Sequence, residues 1–228
     1  MRLLLDTADL AEIRYFNTYY PIEGVTTNPT ILAREGGDVL ALLREIRSII
    51  GVHKELHVQV TETDYDKILE EAEALVSFLG QNTYIKVPAN DMGLRATAEL
   101  RRRGIKVTMT AVLSAAQAML ASNAGAAYVA PYVSRLENIC DDGIGVVVDI
   151  VKIFDRCGAD TKILAASFKT AKEVLDVAVV GAHCSTVAPD VMKRLLAHTS
   201  TDTSIAGFVT DWTEAFGNVT LLELLKKK

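Results

Sequence analysis

Cysteine, proline and aromatic residues are scarce in this chain of 228 residues, and long apolar runs are missing altogether. Its three cysteines (Cys140, Cys157 and Cys184) are an odd number at wide spacing, which offers neither a disulfide framework nor a zinc-ligand pattern. That usage points to a reducing compartment, and we expect a cytoplasmic protein. With 5 prolines and 14 glycines there is no linker to split the chain, and no collagen-like or low-complexity stretch. No segment reaches the ~18 uninterrupted apolar residues of a membrane span. The opening Met1-Arg2-Leu3-Leu4-Leu5-Asp6 meets an acid too early for a signal peptide. Positive charge is also in deficit, with 24 Lys and Arg against 29 Asp and Glu and a formal net charge of −5. A nucleic-acid binder would need a basic face instead. What the chain does have is apolar residues, 50% of the total, enough to build a large core.

Short apolar or β-branched runs alternate with helical patterns from end to end. The spacing predicts strands at residues 3–6, 24–28, 56–61, 83–87, 105–110, 128–132, 162–167 and 184–187. The clearest helix spans 64–79, with Ile68, Leu69, Ala72, Leu75, Val76 and Leu79 at helical spacing and Gly80 as its stop. Asp91, Ser114 and Thr170 are expected to cap others. Parallel strands need such crossovers, and strands covered on both faces read as continuous apolar runs. About eight βα units predict a single (β/α)8 TIM barrel over residues 1–228. Residues 201–228 fall outside the count and read as a C-terminal helical extension, with helices at 205–216 and 221–225.

Strand ends carry the chemistry. Residues two apart on a strand share a face. Asp6 closes the first strand, and Thr26 and Asn28 share a face of the second. His57, Gln59 and Thr61 go together in the third, Tyr84 and Lys86 in the fourth, and Thr108 and Thr110 in the fifth. Ala130 and Tyr132 share a face of the sixth, and Ser167 ends the seventh. Polar residues thus gather at the C-terminal strand ends, where barrel enzymes build their sites. Lys86 stands out because it sits inside Thr83-Tyr84-Ile85-Lys86-Val87-Pro88, where a strand should be buried on both faces. Shedding hydration favours a neutral amine, the species that attacks a carbonyl to form a Schiff base. Asp6, if it reaches across, could hold the amine and move protons. A structural Lys86–Asp6 ion pair or a lysine snorkelling to the strand end is equally compatible with the spacing.

Five motifs closely resemble the short transaldolase family. They are Leu5-Asp6-Thr7-Ala8, Gly24-Val25-Thr26-Thr27-Asn28-Pro29, Ile85-Lys86-Val87-Pro88, Ala130-Pro131-Tyr132-Val133-Ser134-Arg135, and Leu164-Ala165-Ala166-Ser167-Phe168-Lys169-Thr170. The resemblance runs from Met1 to about Phe216. It implies a class I, cofactor-free enzyme with a Schiff-base lysine on the fourth strand, which is where Lys86 lies. Within the family, Gln59 and Tyr132 are similar to the fructose-6-phosphate aldolase branch, whereas transaldolases typically carry Glu and Phe there. A tyrosine hydroxyl can exchange protons with the reacting oxygen, and a neutral amide with Thr110 can hold a water near the imine. The implied reaction cleaves fructose 6-phosphate to dihydroxyacetone and glyceraldehyde 3-phosphate. Asp6 and Asn28 would orient lysine and donor, with Thr26 and Ala130 also at the substrate. The resemblance assigns Arg135 and Ser167 to the phosphate, and Lys169 is a further candidate at that helix start. It also implies a homo-oligomer, a pentamer or a decamer. A transaldolase, a sugar-phosphate binding barrel without catalysis, and an isomerase are the competing readings.

Other signals are weaker. His53-Lys54-Glu55-Leu56-His57 lacks the glutamate of the zinc-protease pattern and runs into a strand, so no metal is expected. Arg101, Arg102 and Arg103 with Lys106 read as a solvated face ending a helix. Cys184 reads as a small core hydrophobe, and Gly36-Gly37 as a turn. His183, His198 and Trp212 have no partner that the sequence identifies.

Overall fold

A computed structural model of the chain describes residues 1–137 and 142–227, so Cys140 and Lys228 lie outside the described residues. The chain divides into two compact units, Met1–Met192 and Lys193–Lys228. In the first, the described residues form eight strands: β1 (Arg2–Asp6), β2 (Gly24–Thr26), β3 (Glu55–Gln59), β4 (Thr83–Pro88), β5 (Val107–Val112), β6 (Tyr128–Pro131), β7 (Lys162–Ala165) and β8 (Cys184–Val187). They pair in parallel and in sequence order, and β8 returns to β1 to close a (β/α)8 TIM barrel. The crossovers carry α1 (Leu10–Tyr19), α2 (Pro29–Glu35), α3 (Val39–Ile50), α4 (Tyr65–Leu79) and α5 (Asp91–Arg102). Then come α6 (Ala115–Asn123), α7 (Val133–Glu137), α8 (Gly143–Cys157) and α9 (Ala171–Val179), with α10 (Pro189–Leu196) after β8.

Local chemistry sets these boundaries. Asp9, Asp38, Asp64, Ser114 and Thr170 each accept a backbone N–H at a helix start, and Glu173 completes a capping box with Thr170. The cap of α5 is Asn90, so Asp91 is its first residue instead of its cap. β2 ends at Thr26 because the Asn28 side chain caps α2, and α2 begins with Pro29, whose fixed φ suits a first turn. β3 stops at Gln59. Thr61, expected on that strand, is exposed and bonds Glu71 through its amide and hydroxyl. β5 runs past Thr110 to Val112 over a register shift, with Ala111 at φ 54.

Two apolar layers hold the barrel. Outside the sheet, Ile68, Leu69 and Ala72 of α4 and Ala96 and Leu100 of α5 cover Ile85 and Val87 of β4. Inside, Leu4, Tyr84, Tyr128, Leu164 and Cys184 fill the centre. Alternation on β4 therefore sends Ile85 and Val87 outward, and Tyr84 and Lys86 inward. His183 accepts the Ile163 N–H at Nδ1 (3.1 Å), tying the approach to β8 to β7.

The second unit contains α11 (Thr199–Phe216) and α12 (Leu221–Leu225). His198 caps α11 by accepting the Ser200 N–H, and Trp212 donates to the Val219 carbonyl at 2.7 Å. Leu221, Leu222 and Leu225 are exposed. Among the described residues, no helix is long and apolar enough to cross a membrane.

Gly93 sets the approach of α5 to β4. A Cβ there would stand 2.0 Å from the Pro88 carbonyl oxygen, a backbone atom that cannot swing away. Alanine gains about 1 kcal/mol in helix propensity over glycine, but overpacking costs about 1–3 kcal/mol. Gly93→Ala should therefore lower the denaturant midpoint; an unchanged or raised midpoint would show that the close approach is not limiting.

Candidate active site

At the C-terminal strand ends lies a cavity of ≈ 110 Å³. Asp6, Thr26, Asn28, Lys86, Ala130, Tyr132, Arg135 and Ser167, all singled out in the sequence, line it. Lys86 is only 5% exposed, too little for an amine that snorkels to water. Its Nζ donates to the Thr27 carbonyl at 2.7 Å and makes no direct ion pair with Asp6. The Asp6 carboxylate oxygen Oδ1 accepts from the Thr26 hydroxyl at 2.6 Å, and Thr26 also meets the Thr186 hydroxyl at 2.7 Å.

Dehydration governs both ionisable groups. Burial pushes the Asp6 carboxyl above its ordinary range, and the Lys86 charge and the Thr26 hydrogen bond only oppose it. Burial likewise lowers the Lys86 amine, against the opposing pull of Asp6. Both shifts favour the uncharged forms. The pair can therefore offer a carbonyl substrate a nucleophilic amine beside an acid able to give up a proton.

Across the cavity, the Tyr132 hydroxyl lies 3.1 Å from the Thr110 hydroxyl, and the Arg135 guanidinium lies over the Tyr132 ring with its carbon 4.9 Å from the centroid. Asn28 uses its carbonyl oxygen to cap α2 (2.9 Å to the Ile31 N–H), which leaves its NH2 to face a ligand. Ser167 ends the β7 segment in the left-handed region at φ 64, outside the strand itself.

Three expected site residues do not line this cavity: Gln59, Thr110 and Lys169. Gln59 is half-buried beside Lys86 in the β3–β4 register. Thr110 is fully buried and reaches the site through Tyr132. Lys169 is exposed, and its backbone N–H, like that of Thr170, is taken by the Glu173 carboxylate. The two amides just ahead of α9 are thus already paired within the chain. Thr186 and the Thr27 carbonyl are the site groups that sequence reasoning missed. The alternation from Cys184 along β8 would have found Thr186; a backbone oxygen leaves no sequence signal.

One layer below, His57 is fully buried and stacks on Tyr84 with 4.6 Å between ring centroids. Nε2 donates to Glu55 at 3.2 Å, and Nδ1 accepts from the Thr108 hydroxyl at 2.9 Å. Burial lowers the His57 pKa, outweighing Glu55, so the ring is neutral. Burial raises the Glu55 carboxyl, but the hydrogen bonds from His57 and Tyr128 and the Arg2 charge hold it below the usual range.

A parallel (β/α)8 barrel with a dehydrated amine, a carboxyl and paired hydroxyls at its C-terminal mouth is built as an enzyme for small molecules. The chain belongs to the transaldolase/fructose-6-phosphate aldolase family, whose sequence model matches residues 3–223. It is 41% identical over 219 residues to a "Probable transaldolase" of Symbiobacterium thermophilum, an alignment covering 96% of this chain and 100% of that one. A protein of the same name from Clostridium acetobutylicum is 41% identical over 216 residues, covering 95% and 99%. That of Maridesulfovibrio salexigens is 43% identical over 216 residues, covering 93% and 98%.

The neutral His57 makes stability depend on pH. Unfolding returns the ring to its ordinary pKa of 6.5, above its folded value. The linked stability is therefore complete above 6.5 and is lost as pH falls, because the unfolded chain takes up the proton first. The loss is at most about 1.4 kcal/mol per pH unit. Denaturant midpoints between pH 7 and pH 5 should fall more steeply for the native chain than for His57→Gln; equal slopes would contradict a neutral buried ring.

Proposed function

We propose that this chain is a Schiff-base aldolase that cleaves fructose 6-phosphate reversibly to dihydroxyacetone and glyceraldehyde 3-phosphate, without a cofactor. The observation that carries the chemistry is the Lys86 amine, buried with no carboxylate in contact among the described residues yet within the field of Asp6. The neutral amine adds to the C2 ketone, and Asp6 gives a proton to the departing hydroxyl, so that water leaves and an iminium forms. The C4 hydroxyl then passes its proton through the Tyr132 hydroxyl to the water held behind it, which later returns one to C3. The C3–C4 bond breaks, its electron pair enters the iminium, and glyceraldehyde 3-phosphate departs. The remaining enamine takes a proton at C3, and water adds at C2 to release dihydroxyacetone and regenerate the amine.

In this reading Asn28 presents its NH2 to the donor hydroxyls, and Thr26 holds the Asp6 carboxyl. Gln59 and Thr110 act behind Tyr132, holding the hydrolytic water. Arg135 and Ser167 take the phosphate; the backbone N–H of Lys169 is already bound to Glu173, so that residue would reach the phosphate through its ammonium group alone. The Tyr132–Thr110 hydroxyl pair favours the aldolase over a transaldolase, because a proton relay beside the enamine promotes its protonation and release. The names of the relatives favour the second reading, transfer of the dihydroxyacetone unit to an acceptor sugar phosphate. The exposed α12 leucines support assembly of further copies, the pentamer or decamer that the resemblance implies. Cysteine usage supports a cytoplasmic location.

Borohydride reduction with fructose 6-phosphate should add mass to the native chain and none to Lys86→Ala; an adduct that survives the substitution would place the amine elsewhere. Dihydroxyacetone should be released without any acceptor. Release only when erythrose 4-phosphate is present would favour the transaldolase. Tyr132→Phe should slow acceptor-free release about 10²-fold or more.

A further inference from the structure

The basic run at the end of α5 is divided by the fold. Arg102 pairs with Glu99 at 2.7 Å, and Arg103 with Glu99 at 2.8 Å and with Glu73 at 2.7 Å. Arg101 makes no ion pair among the described residues. It lies against Gly125 (φ 87), where a Cβ would fall 2.0 Å from the Arg101 Cδ. Only glycine gives the arginine this path.

The path leads into a cavity of ≈ 450 Å³ at the N-terminal strand ends, the opposite end of the barrel from Lys86. Lys106 and Lys162 line it as well. The Lys106 Nζ reaches neutral oxygens, Asn82 Oδ1 at 3.3 Å and the Tyr84 hydroxyl at 3.4 Å. Lys162 opens β7 and makes no ion pair among the described residues. Among the described residues, Asp160 is the single carboxylate in the wall. Three cations therefore face one anion inside a concavity, in a chain whose net charge is −5. An arginine in a last helical turn suits the helix dipole, a gain of ~0.3–1 kcal/mol. Lys106 and Lys162 stand at strand starts, where no such dipole asks for them.

We propose that this cavity is a second anion site, taking a small phosphorylated molecule whose phosphate is held by Arg101, Lys106 and Lys162. The guanidinium supplies a fork for two phosphate oxygens, and the two ammonium groups supply point charges from other sides. That surround suits a tetrahedral dianion better than the two separated ends of a dicarboxylate. The volume falls in the ~300–1,000 Å³ class of small-molecule sites, so an organic portion fits beside the phosphate. The site is independent of the aldolase reading.

Inorganic phosphate titrated calorimetrically into Arg135→Ala tests it, since that background removes the phosphate ligand proposed for the other mouth. Binding of about one phosphate should persist, and should weaken about tenfold or more when Arg101→Gln and Lys162→Gln are added. Arg102→Gln with Lys172→Gln removes the same charge outside the cavity and should change affinity by less than about twofold. With Arg135 intact, Arg101→Gln with Lys162→Gln should retain native cleavage activity and thermal stability. No phosphate binding to Arg135→Ala, equal weakening by the two charge pairs, or succinate binding as tightly as phosphate would overturn the proposal.

Discussion

Taking an ammonium group out of water costs several kcal/mol unless something repays it, and among the described residues no carboxylate touches the Lys86 nitrogen. The Thr27 carbonyl satisfies one hydrogen of the amine, and Asp6 acts only through space. Loss of charge is the cheapest response, for the carboxyl as well as for the lysine. Much of the barrel can be understood as holding these two groups in that condition. The apolar layer around Ile85 and Val87 fixes β4 from outside. Inside, Leu4, Tyr84, Tyr128 and Leu164 close the passage beneath the mouth to solvent. The Thr26–Thr186 hydroxyl pair holds Asp6 in place without adding a charge.

The two ends of the barrel solve opposite electrostatic problems. At the C-terminal mouth, dehydration favours the uncharged forms of Asp6 and Lys86. Below it, Glu55 stays ionised because Arg2, Tyr128 and His57 all address it. His57 separates the two regimes: it is neutral, stacked on Tyr84, and tied by one nitrogen to the acidic floor and by the other to Thr108 beside Lys86 in register. Buried polar groups of this kind are tolerated only when fully hydrogen-bonded. At the far rim, Arg101, Lys106 and Lys162 are exposed to solvent, which suits recognition of an anion and not covalent chemistry.

Much of this arrangement is legible in the sequence, because strand alternation is a strong geometric rule. It brought Asp6, Thr26, Asn28, Lys86, Ala130 and Tyr132 to one face set from spacing alone, and the barrel closure converts that set into one cavity. Boundaries were less legible. Residues such as Asn28, Thr61 and Ser167 read as strand continuations, yet a cap, a bond to Glu71 and a left-handed turn remove them from the ladder. Contacts between distant elements were not legible at all. Glu173 taking the Lys169 and Thr170 amides, and Gly125 admitting Arg101, depend on how neighbouring segments meet.

The chemistry of the mouth turns on the charge of one nitrogen. Reductive methylation with ¹³C-formaldehyde labels the lysines of the folded chain, and the resonance absent from Lys86→Ala identifies Lys86. Following that resonance with pH should give a titration midpoint well below the ordinary lysine value of 10.5. A midpoint at or above that value would mean an amine that stays charged and hydrated, in contradiction to a dehydrated site.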